Sequence, residues 1–156
     1  MARWLALILL CGTALAADKY TGPRPPKPDL PYIIHADNLV PTESLEARQE
    51  NRKGEFIYVI AGASSTARTP LASPAFLMAT DQIQADKLQL FALESKNGQR
   101  EVLYRKKNKL IARPIRLNVT KVDENLYKID VDEILPNGEY SLSPQDSNQV
   151  FCFQVY

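Results

Sequence analysis

Asn125–Tyr156 reads NLYKIDVDEILPNGEYSLSPQDSNQVFCFQVY, and this stretch decides the fold class. Three runs, Leu126–Val131, Glu139–Ser143 and Val150–Val155, alternate apolar and polar residues and are separated by turn-forming residues. That is the pattern of antiparallel strands with one face buried and one face wet. In the first run Tyr127, Ile129 and Val131 share one face, while Lys128, Asp130 and Asp132 share the other, because strand side chains alternate. Pro136-Asn137-Gly138 reverses the chain, with Asn-Gly expected to supply the positive φ values of a tight turn. Tyr140 and Leu142 then face one way. In the last run Phe151, Phe153 and Val155 alternate with Cys152 and Gln154.

The segment ILPNGEYSL, with Pro136 four residues before Tyr140, resembles the E–F corner of immunoglobulin-like and fibronectin type III-like sandwiches. In that corner a tyrosine at the start of strand F hydrogen-bonds back to the preceding loop. The resemblance implies that Pro136, Gly138 and Tyr140 form such a structural corner, with the Tyr140 hydroxyl bonded near Ile134–Pro136. It implies nothing about function. The whole chain also resembles a group of small exported bacterial proteins with no assigned activity. The shared features are a Pro-rich mature start, a segment like PYIIHADNLVPTE, and an ending like NGEYSL followed by NQVFCFQV. No catalytic residue comes with that resemblance.

Upstream of Asn125 the same reading continues. Glu55–Ala61 is a strand of the buried type, Gly62–Ser73 a loop, and Pro74–Thr80 and Lys87–Ser95 two further strands. Lys96-Asn97-Gly98-Gln99 is a hairpin turn, Arg100–Arg105 the returning strand, Lys106–Arg113 a basic loop, and Ile115–Val122 the next strand. About eight short strands at these spacings predict an all-β, immunoglobulin-like antiparallel sandwich over residues 54–156. Its expected core includes Phe56, Tyr58, Ile60, Phe76, Met78, Leu90, Ala92, Ile129, Tyr140 and Phe153.

The beginning of the chain reads differently. Met1–Ala16 has the form of a secretory signal peptide: Arg3, a short apolar run, and Ala14-Leu15-Ala16 as a small-x-small cleavage site. The apolar run is too short to span a bilayer. The protein is therefore expected to be exported, periplasmic or extracellular, with Cys152 as the one cysteine left after cleavage of a segment that holds Cys11. Residues 17–53 are expected to form an extended, disordered Pro-rich and charged arm. Pro23, Pro25, Pro26, Pro28 and Pro31 stiffen its first part into a spacer or docking tail, and Asn51–Gly54 turns the chain into the sandwich.

A search for chemistry finds little. The single histidine, His35, and the lack of a Gly-x-Ser-x-Gly elbow give no hydrolase triad. One histidine and one mature cysteine do not make a zinc site. Asp130 and Asp132 on one strand face, beside Asp123 and Glu124, are the one acidic grouping that could serve acid–base or calcium chemistry. The expectation is a non-catalytic binding or interaction module of the cell envelope, with no enzyme activity and no cofactor. The alternative is a secreted enzyme or metal carrier that uses the acidic strand.

Charge supplies the remaining signal. Without Arg3 the basic and acidic side chains balance, so bulk charge predicts neither a nucleic-acid nor a membrane partner. Locally, however, Lys96–Arg116 has eight basic residues against Glu101 alone, and the chain after it is net acidic. Tyr104, Arg105, Lys106, Lys107, Lys109 and Arg113 are the candidate interaction patch, facing an envelope protein or an anionic glycan. The competing reading is that these lysines guard a sheet edge against strand addition.

Overall fold

The computed structural model describes residues 19–156. The expected signal peptide, Cys11 included, lies outside them. Among the described residues fourteen strands follow one another: β1 (Tyr32–His35), β2 (Asn38–Pro41), β3 (Glu43–Glu46), β4 (Arg48–Arg52), β5 (Glu55–Ala61), β6 (Arg68–Thr69), β7 (Ala75–Ala79), β8 (Leu88–Lys96), β9 (Gln99–Lys106), β10 (Lys109–Leu110), β11 (Leu117–Asp123), β12 (Leu126–Val131), β13 (Gly138–Pro144) and β14 (Gln149–Val155). The protein is all-β. Among the described residues no helix is long and apolar enough to cross a membrane.

One sheet has the order β11-β12-β7-β1-β2, and the other runs β3-β14-β13-β8-β9-β5-β4 with the short β6 and β10 alongside. Within them lies the strand order of an immunoglobulin constant-type sandwich. Strands β1, β7, β12 and β11 stand as A, B, E and D; β8, β13 and β14 stand as C, F and G. The two layers bury one core. Ile33, Phe76, Met78, Ile129 and Val131 come from the first sheet; Leu90, Tyr140, Leu142, Phe151, Phe153 and Val155 come from the second. Phe153 packs edge-on to Phe76 with centroids 5.0 Å apart and stacks on Tyr140 at 5.5 Å. Each such fully buried ring stabilises the fold by about 1.5–3 kcal/mol.

The nine-stranded sheet departs from a plain sandwich. Its two ends, β3 and β4, are consecutive in the chain with only Ala47 between them. The sheet must therefore curl until its ends meet. Up to Ala47 the chain pairs with β14, and the Ala47 N–H still donates to the Asn148 carbonyl at 2.7 Å. From Arg48 it pairs with β5. On the opposite wall β8 pairs with β13 through Leu93 and with β9 from Glu94. Both faces of β13 and β14 are consequently covered, and Val150, Phe151, Cys152 and Phe153 are all buried in succession. Val150 and Cys152 pack with Ala47 and Ile60 in a second apolar cluster inside the curl.

Several expectations need correction. The arm over 17–53 is not an arm beyond Tyr32: four strands occupy Tyr32–Arg52, and Asp29 ties down the Pro-rich segment before them. Asp29 accepts hydrogen bonds from the backbone N–H groups of Asp81, Gln82 and Ile83. Burial works against its charge, but those donors outweigh it and hold the Asp29 carboxyl below the usual range. Neither Asn137 nor Gly138 takes a positive φ, because the chain there crosses from one sheet to the other instead of making a hairpin. The positive-φ pairs sit at the true hairpins, Lys53-Gly54 (53° and 84°) and Asn97-Gly98 (53° and 75°). Phe56 and Ala92 are exposed, while Ile57, Val59 and Phe91 are buried. The two-sided covering of β5 and β8 hides that phase from a simple alternation.

Candidate functional site

The basic segment is brought to one end of the curled sheet. The β4–β5 turn and the β9–β10 turn touch there, and the Lys107 N–H donates to the Gly54 carbonyl at 2.7 Å. Lys53, Lys107 and Lys109 are exposed, and among the described residues none has an acidic partner. Lys106 pairs with Glu55 at 2.9 Å, and its hydrogen bond holds the Glu55 carboxyl below the usual range. Arg105 lies over the Phe56 ring at 5.5 Å. Phe56 and Leu110 are exposed beside these cations. Two of the expected residues are elsewhere. Tyr104 turns into the curl, and Arg113 lies further along the chain, past the tip. Lys53 joins the tip from a turn that charge counting over Lys96–Arg116 does not include.

The residues after the tip form a strap. Ile111 and Ala112 donate to the Tyr104 carbonyl at 2.9 and 3.2 Å, and Ile115 donates to the Leu90 carbonyl at 2.8 Å. The strap thus fills the gap that opens where β8 and β9 diverge, satisfying backbone groups on both. Its own edge strand, β10, is two residues long.

The acidic strand is dispersed. Asp130 pairs with Lys128 at 2.7 Å, and Asp132 lies 3.9 Å from Arg116. Asp123 pairs with Arg24, and the Arg24 hydrogen bond together with the Glu124 N–H holds its carboxyl down. His35 is exposed at the end of β1. Among the described residues no three His, Cys, Asp or Glu side chains converge as metal ligands.

The interior of the curl has a closed end and an open end. At the closed end Arg100 is 0% exposed. Its guanidinium donates to Glu43 at 2.8 Å, to the Ala61 carbonyl at 2.7 Å and to the Gly62 carbonyl at 3.0 Å. Glu139 lies 3.8 Å away, accepts from the Ser65 N–H at 2.9 Å, and leaves its Oε1 buried without a hydrogen-bond partner among the described residues. Burial raises the Glu139 carboxyl above the usual range; the Ser65 N–H and Arg100 oppose that rise, and Glu43 adds to it. From the sequence Arg100 reads as the first residue of the returning strand and as one of the basic run. The available signal was its period: Arg100, Val102 and Tyr104 alternate on one face of β9, opposite Ile60 and Tyr58.

The other end opens as a cleft of about 400 Å³ between β4, β5, β9 and the β8–β13–β14 wall. Ala47, Ile60 and Val150 form its apolar floor; Gln49, Tyr58, Tyr104, Gln89, Ser141 and Ser143 stand above it. The rings of Tyr58 and Tyr104 meet edge to face at 5.4 Å. Exposure rises along β5 from Ile60 at 1% to Phe56 at 41%, which marks the rim. Compared with known proteins, the chain matches no family model, no curated protein and no solved structure.

Proposed function

We propose that this chain is an exported, non-catalytic binding module of the cell envelope, docking a polyanionic partner, an anionic glycan first of all, through its basic tip. The observation that carries the reading is the juxtaposition of Lys53, Lys107 and Lys109 on two touching turns, without acidic partners among the described residues. Cations gathered at one place raise the local potential and attract a polyanion. Edge protection explains them less well, because the strap's own backbone already covers the diverging edges of β8 and β9.

Retention on an immobilised carboxylated or sulfated polysaccharide, measured over a salt series, tests the reading. Retention should fall steeply as salt rises, since exposed charges are screened beyond about 8 Å at physiological ionic strength. Lys53→Gln/Lys107→Gln/Lys109→Gln should lose it while melting as the wild type does, because exposed charges add little to stability. Retention of that variant equal to the wild type overturns the reading.

A further inference from the structure

We infer that the open end of the curled sheet is a binding site for a small, uncharged, polyhydroxylated ligand of the size of one or two sugar rings. The starting point is a departure from the rule that inward strand positions are apolar. Deep in the curl the rule holds, with Ile60, Val150 and Cys152 packed together. From the level of Cys152 outward, positions in phase with them carry buried Ser141 and then, nearer the mouth, Ser143, Gln89 and Gln49, although the strands continue. A structural interior would be filled there. Instead there is a cleft of about 400 Å³, within the usual range of about 300–1,000 Å³ for small-ligand sites.

The lining has unused hydrogen-bonding capacity of a neutral kind. Gln49 donates its amide to the Tyr58 hydroxyl at 2.8 Å. That leaves the Tyr58 proton and the Gln49 carbonyl oxygen to face a ligand. Among the described residues the Ser141 and Ser143 hydroxyls meet only each other, at a long 3.4 Å. The Gln89 amide makes no side-chain hydrogen bond among the described residues. Amide and hydroxyl groups that both donate and accept suit ligand hydroxyls, which do the same. Among the described lining residues no side chain is cationic, so a phosphate finds no counter-charge; the one carboxylate, Asp146, lies exposed in the β13–β14 turn and not among the polar groups above the floor. The floor of Ala47, Ile60 and Val150 with the Phe91 ring offers an apolar surface for a C–H face. The mutual packing of Tyr58 and Tyr104 fixes the aromatic wall before a ligand arrives, which lowers the ordering cost of binding.

The cleft adjoins the basic tip at Phe56, but Lys53, Lys107 and Lys109 do not line it, and the two can be tested apart. The probes are neutral sugars at millimolar concentration: glucose, galactose, N-acetylglucosamine and maltose. Saturation transfer to the sugar and amide shift changes in the isotope-labelled full chain are the readouts. At least one sugar should receive transfer, with shifts confined to Ala47–Gln49, β5, Gln89–Phe91, the end of β9 and Ser141–Val150. Gln89→Leu/Ser143→Val should weaken that binding by about tenfold or more, because it removes partners for buried ligand hydroxyls. Ser143→Val alone replaces the double variant if the latter does not fold. The basic-tip triple variant should bind sugar as the wild type does. The inference is overturned if no sugar shifts the cleft residues, if the Gln89 and Ser143 changes leave binding intact, or if only apolar ligands such as a fatty acid occupy the cleft.

Discussion

Arg100 donates a 2.8 Å hydrogen bond to Glu43 across the closed end of the curled sheet, joining two residues 57 positions apart in the chain. The same guanidinium satisfies the carbonyls of Ala61 and Gly62, so one side chain ties the loop after β5 to the start of β3. Removing it leaves the two carbonyls without this donor, leaves Glu43 with the Ser65 hydroxyl, and takes the positive charge 3.8 Å from Glu139 away.

Arg100→Met should therefore cost on the order of 3–5 kcal/mol, the usual penalty for deleting one partner of a buried ion pair. Urea unfolding of the variant beside the wild type measures it. A loss below about 1 kcal/mol, the range of exposed pairs, would show that Arg100 is not sealed in.

Glu139→Gln should act in the opposite sense. Burial raises the folded carboxyl above its ordinary value of 4.5, so between that value and the folded pKa the native state holds more protons than the unfolded chain. Stability is then lost as pH rises through this window. Gln keeps an oxygen for the Ser65 N–H and carries no charge. The variant should melt higher than the wild type above the window, and the two should converge below it. A wild-type melting temperature that rises through the window relative to the variant would contradict the assignment.

Tyr140 donates its hydroxyl to the Pro136 carbonyl at 2.7 Å and is almost fully buried. Tyr140→Phe keeps the ring stacked on Phe153 and leaves that carbonyl unpaired. The expected cost is about 1–3 kcal/mol, read from thermal or urea melts. An unchanged melt would mean that the corner is set by the ring and Pro136 alone.

The strands Leu126–Val131 and Val150–Val155, the Asn97-Gly98 hairpin and the immunoglobulin-like order were legible in the sequence because alternation and turn residues are local signals. The curl was not. It depends on Ala47, where one extended segment changes partner from β14 to β5, and nothing local in Glu43–Arg52 says with which strands its two halves pair. The charged residues of β3 and β4 read as an arm because half of their side chains do face water. For the same reason the basic tip was half legible: Lys106, Lys107 and Lys109 are neighbours in the chain, but Lys53 reaches them only through the β5–β9 ladder. The polar mouth of the cleft was invisible, since Gln89 and Ser143 read as solvent-facing until a second wall stands opposite them.

Both the plug at Arg100 and the cleft above Val150 exist only if the nine-stranded sheet closes, and Cys152 reports that closure most directly. In an open sandwich its side of β14 would face water. Here it is 0% exposed, and burial, helped by Glu43 and Glu139 against Arg100, pushes the thiol up to about 12. A thiol needs both access and thiolate character to react. In a chain carrying Cys11→Ser, labelling with a coloured disulfide reagent at neutral pH should be negligible in the native state and complete on unfolding. Rapid, complete labelling while the native melt persists would contradict the closed sheet.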